Sequence, residues 1–209
     1  MDLKKLFYLL GLGISVLSLT GLWACSSGGG TSSGGTGTTG AAGTGGASGT
    51  LTVNLTDSPF SNAKAVLVTF SEVQVHHSDR GWVTVPFAAG TSRTCDLKNL
   101  VGGAQDVLGA GSLPAGRYTQ IRLVVNQSTL YFDNPSAGSA CGSYILPPLG
   151  QNAPLEISSG EIKLNREFDL AAGGGSTILL DFDGEKSIQK TGNDRYLMNP
   201  VISIVSVQG

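Results

Sequence analysis

Apolar and polar residues alternate with a period of two through most of the chain beyond residue 50. Leu51, Val53 and Leu55 alternate with Thr52, Asn54 and Thr56, which predicts a half-buried strand ended by Asp57-Ser58-Pro59. Between residues 64 and 76, Val66, Val68 and Phe70 share one face, then Val73 and Val75 share the next. This flip of parity predicts a bulge near Ser71-Glu72. Asp79-Arg80-Gly81 reads as the turn of a hairpin into Trp82-Val83-Thr84-Val85. Residues 117–125 predict a strand with Thr119, Ile121, Leu123 and Val125 on one face, and residues 128–132 are expected to fold back on it across Asn126-Gln127. Further strands are expected over 144–146, 155–157, 161–164, 167–170, 177–182 and 195–207, the last broken by Pro200. The only helical pattern covers residues 97–108 and is weakened by Gly102 and Gly103. Short strands separated by Gly, Pro, Asn and Asp predict an all-β fold, a single β-sandwich or barrel over residues 50–209.

The chain before residue 50 follows a different pattern. Lys4 and Lys5 precede an almost wholly apolar or small stretch from Leu6 to Trp23, the layout of a secretory signal. Leu22-Trp23-Ala24-Cys25 then resembles the bacterial lipobox. That resemblance implies a signal peptide over residues 1–24, removed to leave a diacylglyceryl- and acyl-modified Cys25 as the first mature residue. An uncleaved transmembrane helix and simple secretion are the alternatives, since the apolar stretch approaches the lower limit of about 17 residues for a membrane span. Ser26 stands where an inner-membrane retention Asp would sit in enterobacterial lipoproteins, which favours the outer membrane. From Ser26 to Gly49 only Ser, Gly, Thr and Ala occur, so residues 25–49 read as the lipidated Cys and a disordered tether with nothing to bury. Its root-mean-square reach is roughly 25–30 Å.

Composition narrows the function classes. The chain carries 13 Lys and Arg against 15 Asp and Glu, a net charge of −2, with no basic stripe. The phosphate-neutralising footprint of a nucleic-acid binder is missing, so no nucleic-acid partner is expected. Charged residues are 13% of the chain while Gly contributes 31 of 209 positions, which suits an extracellular β domain rich in turns. Of three cysteines, lipid takes one. Cys95 and Cys141 then form an even pair in an oxidising compartment, read as a disulfide between turn-like segments or else as two separate buried thiols. As a bond it would close a loop worth about 4 kcal/mol in the chain-entropy picture.

Five segments fall in a recognisable order: Leu55-Thr56-Asp57-Ser58-Pro59, Val73-Gln74-Val75-His76, residues 113–123 (Leu-Pro-Ala-Gly-Arg-Tyr-Thr-Gln-Ile-Arg-Leu), residues 181–187 (Asp-Phe-Asp-Gly-Glu-Lys-Ser) and residues 196–201 (Tyr-Leu-Met-Asn-Pro-Val). Together they resemble the domain-of-unknown-function 4382 (DUF4382) family across most of residues 50–205. The resemblance implies a prealbumin-like or immunoglobulin-like sandwich on an exported lipoprotein. It supplies no activity, because fold alone does not.

Candidate chemistry is sparse. His76 and His77 are the chain's only histidines, and adjacent strand positions point to opposite faces, so one ion would not easily take both; Asp79 could join one of them, but the favoured reading is two exposed histidines at a strand end, with no metal. Asp181 and Asp183 share a strand face before Gly184 and Glu185, a partial likeness to a calcium loop to which Asp57 could add a third oxygen; the alternative is a solvated strand end paired with Lys186. The same carboxylates are the site of a hydrolase alternative, for which the sequence shows no sugar cleft. Residues 184–187 lack the spacing of a phosphate loop, and residues 171–177 read as a mobile, Gly-rich hairpin loop. No Gly-x-Ser-x-Gly elbow occurs within residues 50–209. Trp82, Phe87, Tyr118, Tyr131, Phe132, Tyr144 and Tyr196 could form a sugar-stacking platform, although alternation assigns most of them to the core. The resulting expectation is a non-enzymatic envelope lipoprotein with no cofactor, held to a membrane by acyl chains, with an envelope protein or glycan as partner. The alternative is a carbohydrate- or calcium-binding surface module.

Overall fold

The structure, a computed structural model, describes residues 46–58 and 60–209. The expected signal peptide, Cys25 and the tether up to residue 45 lie outside the described residues. The elements in chain order are β1 (Ser48–Ser58), β2 (Ala65–His77), β3 (Gly81–Thr84), β4 (Arg93–Asp96), a 3-10 turn (Leu97–Leu100), β5 (Asp106–Pro114), β6 (Gly116–Tyr131), β7 (Cys141–Gly142), β8 (Asn152–Ile157), β9 (Glu161–Leu170), β10 (Gly175–Asp183), the one-turn α1 (Gly184–Ser187), β11 (Ile188–Lys190), a 3-10 turn (Gly192–Asp194), β12 (Tyr196–Met198) and β13 (Ile202–Gln208). Among the described residues no helix is long and apolar enough to cross a membrane.

The strands form two sheets. One has the order β13-β10-β1-β5; the other runs β11-β12-β8-β6-β2-β4-β7, with β3 beside β2 and β9 beside β6. β1 and β10 pair in parallel, with Asp57 opposite Phe182 and Ser58 opposite Asp183. Alternation explains the core. Leu51, Val53 and Leu55 of β1 and Ile178, Leu180 and Phe182 of β10 turn inward. They join Phe70, Val73 and Val75 of β2 and Ile121 and Leu123 of β6 in one buried cluster. This all-β, two-sheet arrangement is consistent with the expected sandwich.

Several expectations are corrected. Ser48 and Gly49, assigned by composition to the tether, begin β1. A Cβ on Gly49 would lie 2.5 Å from the Ala171 carbonyl oxygen, so this glycine is selected by close backbone approach. The helical pattern over 97–108 yields only the turn Leu97–Leu100, and Asp106 already opens β5. The fold-back at Asn126-Gln127 does not occur, because β6 is one strand of 16 residues. Its pairing with β2 steps from Phe70↔Val125 to Thr69↔Gln127, so the change of parity at Asn126 is a bulge. The bulge expected near Ser71 is present, as the pairing also shifts between Phe70 and Glu72. The two expected strands over 161–164 and 167–170 merge into β9. Residues 171–177 do not close a hairpin, because β9 pairs with β6 while β10 pairs with β1 and β13, so this Gly-rich segment carries the chain between sheets. Residues 144–146 form no strand; Ile145 is buried, whereas Tyr144 and Leu146 are exposed.

The Pro-Ala-Gly-Arg-Tyr stretch has a specific task. β5 and β6 belong to different sheets, and only Ala115 separates them. Gly116 makes the corner with φ +146°, where a Cβ would meet the His77 Nε2 at 2.5 Å. The Tyr118 hydroxyl donates back to the Pro114 carbonyl at 2.6 Å, and its ring packs against Phe168 (5.1 Å) and edge-on to His77 (5.0 Å). This pins the crossing in the manner of a tyrosine corner. Burial pushes the Tyr118 phenol pKa up, opposed by the charge of Arg80.

Candidate functional site

The carboxylates that drew attention in the sequence come together on paired strands but do not make a site. On β1, Asp57 has the same parity as Leu51, Val53 and Leu55 and is 5% exposed. On β10, Asp181 and Asp183 have the parity opposite to Leu180 and Phe182, so they lie on the outer face of the same sheet. A cation on one face is thereby denied the ligand on the other, and among the described residues no group of three His, Cys, Asp or Glu is placed to hold a metal ion. Asp183 instead caps α1. It accepts from the Lys186 backbone N–H at 3.0 Å and from its Nζ at 2.6 Å, bonds that hold the Asp183 pKa below the usual carboxylate range.

Asp57 is the most perturbed of these groups. Its Oδ1 accepts from the Gly184 N–H at 3.2 Å and its buried Oδ2 has no partner among the described residues. Burial pushes its pKa up to about 8; the Gly184 N–H opposes this, Asp181 and Asp183 add to it, and Lys98 opposes it. The largest cause is burial, so the perturbation is a structural cost of carrying this carboxyl inward at the strand end.

The histidines are structural as well, and the expected exposure of both is corrected, because the corner at Gly116 and the Tyr118 ring close over His77. His77 is buried, its Nδ1 accepts the backbone N–H of Asp79 at 3.1 Å, and its Nε2 lies 3.4 Å from the Ala115 carbonyl. Asp79 thus meets His77 through its peptide rather than its carboxylate. His76 points to the other face, edge-on to Trp82 at 5.1 Å, with Nδ1 3.1 Å from the Thr119 hydroxyl. Arg122 lies over the same Trp82 ring at 4.3 Å.

Cys95 and Cys141 are bonded and buried. They pair directly across β4 and β7, so the turn-like reading of their neighbours gives way to a short two-strand ladder. Polar groups brace this bond. Asp106 accepts the Cys141 N–H at 2.9 Å and pairs with Arg93 at 2.9 Å. Asp96, fully buried, accepts the N–H groups of Val66 (2.9 Å) and Lys98 (3.1 Å) and the Ser136 hydroxyl.

A different place offers a ligand room. A cleft of about 560 Å³ opens where β6 ends, β8 begins and the turn between β11 and β12 closes. Phe132 and Tyr196 lie in it with ring centroids 5.5 Å apart, Gln151 and Asn152 line one side, and Lys190 and Asp194 the other. Register builds it. Lys190 pairs with Tyr196 across β11 and β12, and Tyr196 pairs with Leu155 of β8. Of the expected aromatic platform, Phe132 and Tyr196 meet here; Tyr118 and Tyr131 are buried elsewhere, Tyr144 is 69% exposed, and Phe87 packs against the core. The sequence reading missed Gln151, Asn152, Lys190 and Asp194. Gly192-Asn193 has the chemistry of a turn and could have marked the rim, but nothing local links it to Gln151.

A family model described as "Domain of unknown function (DUF4382)" matches residues 48–200. No curated protein and no solved structure matches the chain.

Proposed function

The chain belongs to this DUF4382 family, and on that premise we propose that it is a lipid-anchored cell-envelope protein whose β domain acts by binding and does no bond-breaking of its own. The observation that carries the reading is Leu22-Trp23-Ala24-Cys25 followed by a tract of Gly, Ser, Thr and Ala and then a folded domain. An acyl-modified Cys25 holds the chain at a membrane, since each buried methylene is worth about 0.8 kcal/mol and two or more chains anchor stably. The outer membrane is the favoured place where the cell has one, because Ser26 follows the cysteine. Binding is favoured over catalysis by the character of the cleft, whose lining is aromatic, amide and a mutually neutralised ion pair. The partner is an envelope component, protein or glycan.

The test is mass spectrometry of the N-terminal peptide from membranes, with Cys25→Ala as control. The expected result is a mature chain starting at an acylated Cys25 and a soluble Ala form. An intact, unmodified N-terminus, or an Ala variant that survives detergent-free washing of the membranes, overturns the anchor.

A further inference from the structure

We propose that the cleft between Phe132 and Tyr196 is a saccharide subsite that takes a neutral pyranose ring, an inference that deepens the binding role proposed above and rests on it. A pyranose presents an apolar C–H face and a rim of hydroxyls, so its receptor needs an aromatic surface beside groups that both donate and accept. Both are present. Phe132 is only half-buried just after β6, and its ring is tilted by 39° against the largely buried Tyr196, over which Lys190 Nζ lies 5.8 Å from the ring centroid, so the apolar floor open to a ligand is the Phe132 ring. At the side of this floor stand two primary amides. The Gln151 side chain makes no hydrogen bond among the described residues, and Asn152 spends one N–H on the Gly150 carbonyl at 3.4 Å. Their remaining donors and acceptors are the kind that ligand hydroxyls need.

The wall is fixed before any ligand arrives. The Phe132 N–H donates to the Gln151 carbonyl at 3.0 Å, and the Gln151 N–H donates to the Asp133 carboxylate at 2.6 Å. Gly150, at φ +106°, allows this approach, because a Cβ there would lie 2.4 Å from Asp133 Oδ2. Floor and wall are therefore one hydrogen-bonded unit, which lowers the ordering cost of binding.

Charge selects a neutral ring. Lys190 is the cation of the cleft, and its Nζ lies 2.7 Å from Asp194, so the pair presents little net charge to an anionic ligand. The rim that carries Asp194 turns through two consecutive non-glycine residues in the left-handed region, Asn193 (φ 62°) and Asp194 (φ 55°). Asn and Asp are the non-glycine residues that adopt this region most readily, so the turn sets the position of Asp194 beside Lys190.

The experiment uses the full chain, purified from membranes in detergent, with cellobiose, maltose, chitobiose and mannobiose as probes, read by saturation-transfer NMR and titration calorimetry. At least one disaccharide is expected to bind in the millimolar range. Phe132→Ala should weaken that disaccharide at least tenfold, and Gln151→Ala, at an exposed position that does not support the core, several-fold. Trp82→Ala, on the outer face of another sheet region, should leave affinity unchanged. Silence of all four probes at tens of millimolar, or full affinity retained in the folded Gln151→Ala and Phe132→Ala variants, overturns the subsite. Sugar binding lost with Cys25 still acylated sinks the subsite alone; sugar binding by an unacylated chain sinks the anchor alone.

Discussion

Asp96, at the end of β4, and Asp57, near the end of β1, are both carried into the interior, and they are treated in opposite ways. Asp96 is completely enclosed, yet both its oxygens are used: Oδ1 takes two backbone N–H groups and Oδ2 a hydroxyl. Asp57 has one N–H on Oδ1 and, among the described residues, nothing on Oδ2. Burial alone therefore says little about a carboxylate. What decides its energy is whether the surrounding backbone supplies donors, because a made buried bond is worth about 1 kcal/mol net while an unmade one costs about 1–3 kcal/mol. The difference follows from position. Asp96 opens a 3-10 turn whose first N–H groups need an acceptor. Asp57 stands where a parallel strand pair ends, and among the described residues only Gly184 donates to it.

The largest expected effect comes from Asp57. Its folded pKa of about 8 lies above the unfolded value of 3.8, so the folded state keeps a proton that the unfolded chain has released. Between these values the folded state binds more protons, and stability falls as pH rises, flattening above about pH 8. The full swing from this group is of the order of several kcal/mol. Asp57→Asn mimics the protonated form and removes the slope. In urea titrations at pH 4, 6, 8 and 9 the variant should gain on the parent steadily with pH and be the more stable protein at pH 9. Parallel profiles would show that Asp57 is satisfied after all.

Second comes the bond that braces the Asp96 side. Cys95 and Cys141 are 46 residues apart in sequence, and the loop they close corresponds to about 4 kcal/mol. Cys95→Ser with Cys141→Ser should cost about 2–5 kcal/mol in urea. The same pair should leave the Asp57 pH profile unchanged in shape, because β4 and β7 belong to the other sheet. Coupling between the two would end the view of them as separate regions.

Third is Asp96 itself. Asp96→Ala leaves the N–H groups of Val66 and Lys98 without their acceptor, a loss of about 3 kcal/mol. Asp96→Asn keeps Oδ1 for both, and its new amide can donate to the Ser136 hydroxyl, which rotates to accept. That variant should lose only about 1 kcal/mol. Equal losses in the two would mean that charge, not hydrogen bonding, holds this turn.

The same contrast marks how far the sequence could be read. Strand positions with strict alternation were legible, as in β1, β2 and β10, because period two reports which face is buried. Bulges hid the rest. Asn126 breaks alternation inside β6 just as a turn would, and Thr119 does so between Tyr118 and Gln120 in the pairing with β9. The pairing of Cys95 with Cys141 was legible from count and from the oxidising compartment that the N-terminal pattern led one to expect. Asp57, Asp181 and Asp183 were legible as neighbours but not as residues on opposite faces, since only the parallel register of β1 with β10 sets that. The cleft was legible only in its aromatic half. Phe132 and Tyr196 stood out by type, whereas Gln151 and Lys190 gain meaning only from register between strands far apart in sequence.

The smallest effect completes the scale with a carboxylate that water already satisfies. Glu167 pairs with Arg117 between neighbouring strands β9 and β6, and their side chains are 64% and 57% exposed. Such a pair gains little, because solvent screens the charges and ordering two long side chains costs entropy. Glu167→Gln should therefore change stability by less than about 0.5 kcal/mol, and the change should vanish in 1 M salt, where the Debye length is about 3 Å. The logic is the converse of Asp57. There a carboxyl has lost water and found one donor; here a carboxylate has kept water and needs none. A loss above 1 kcal/mol at Glu167 would mean that the edge strand β9 depends on this ion pair for its register, and the ranking from buried and unmet to exposed and hydrated would fail at its easiest point.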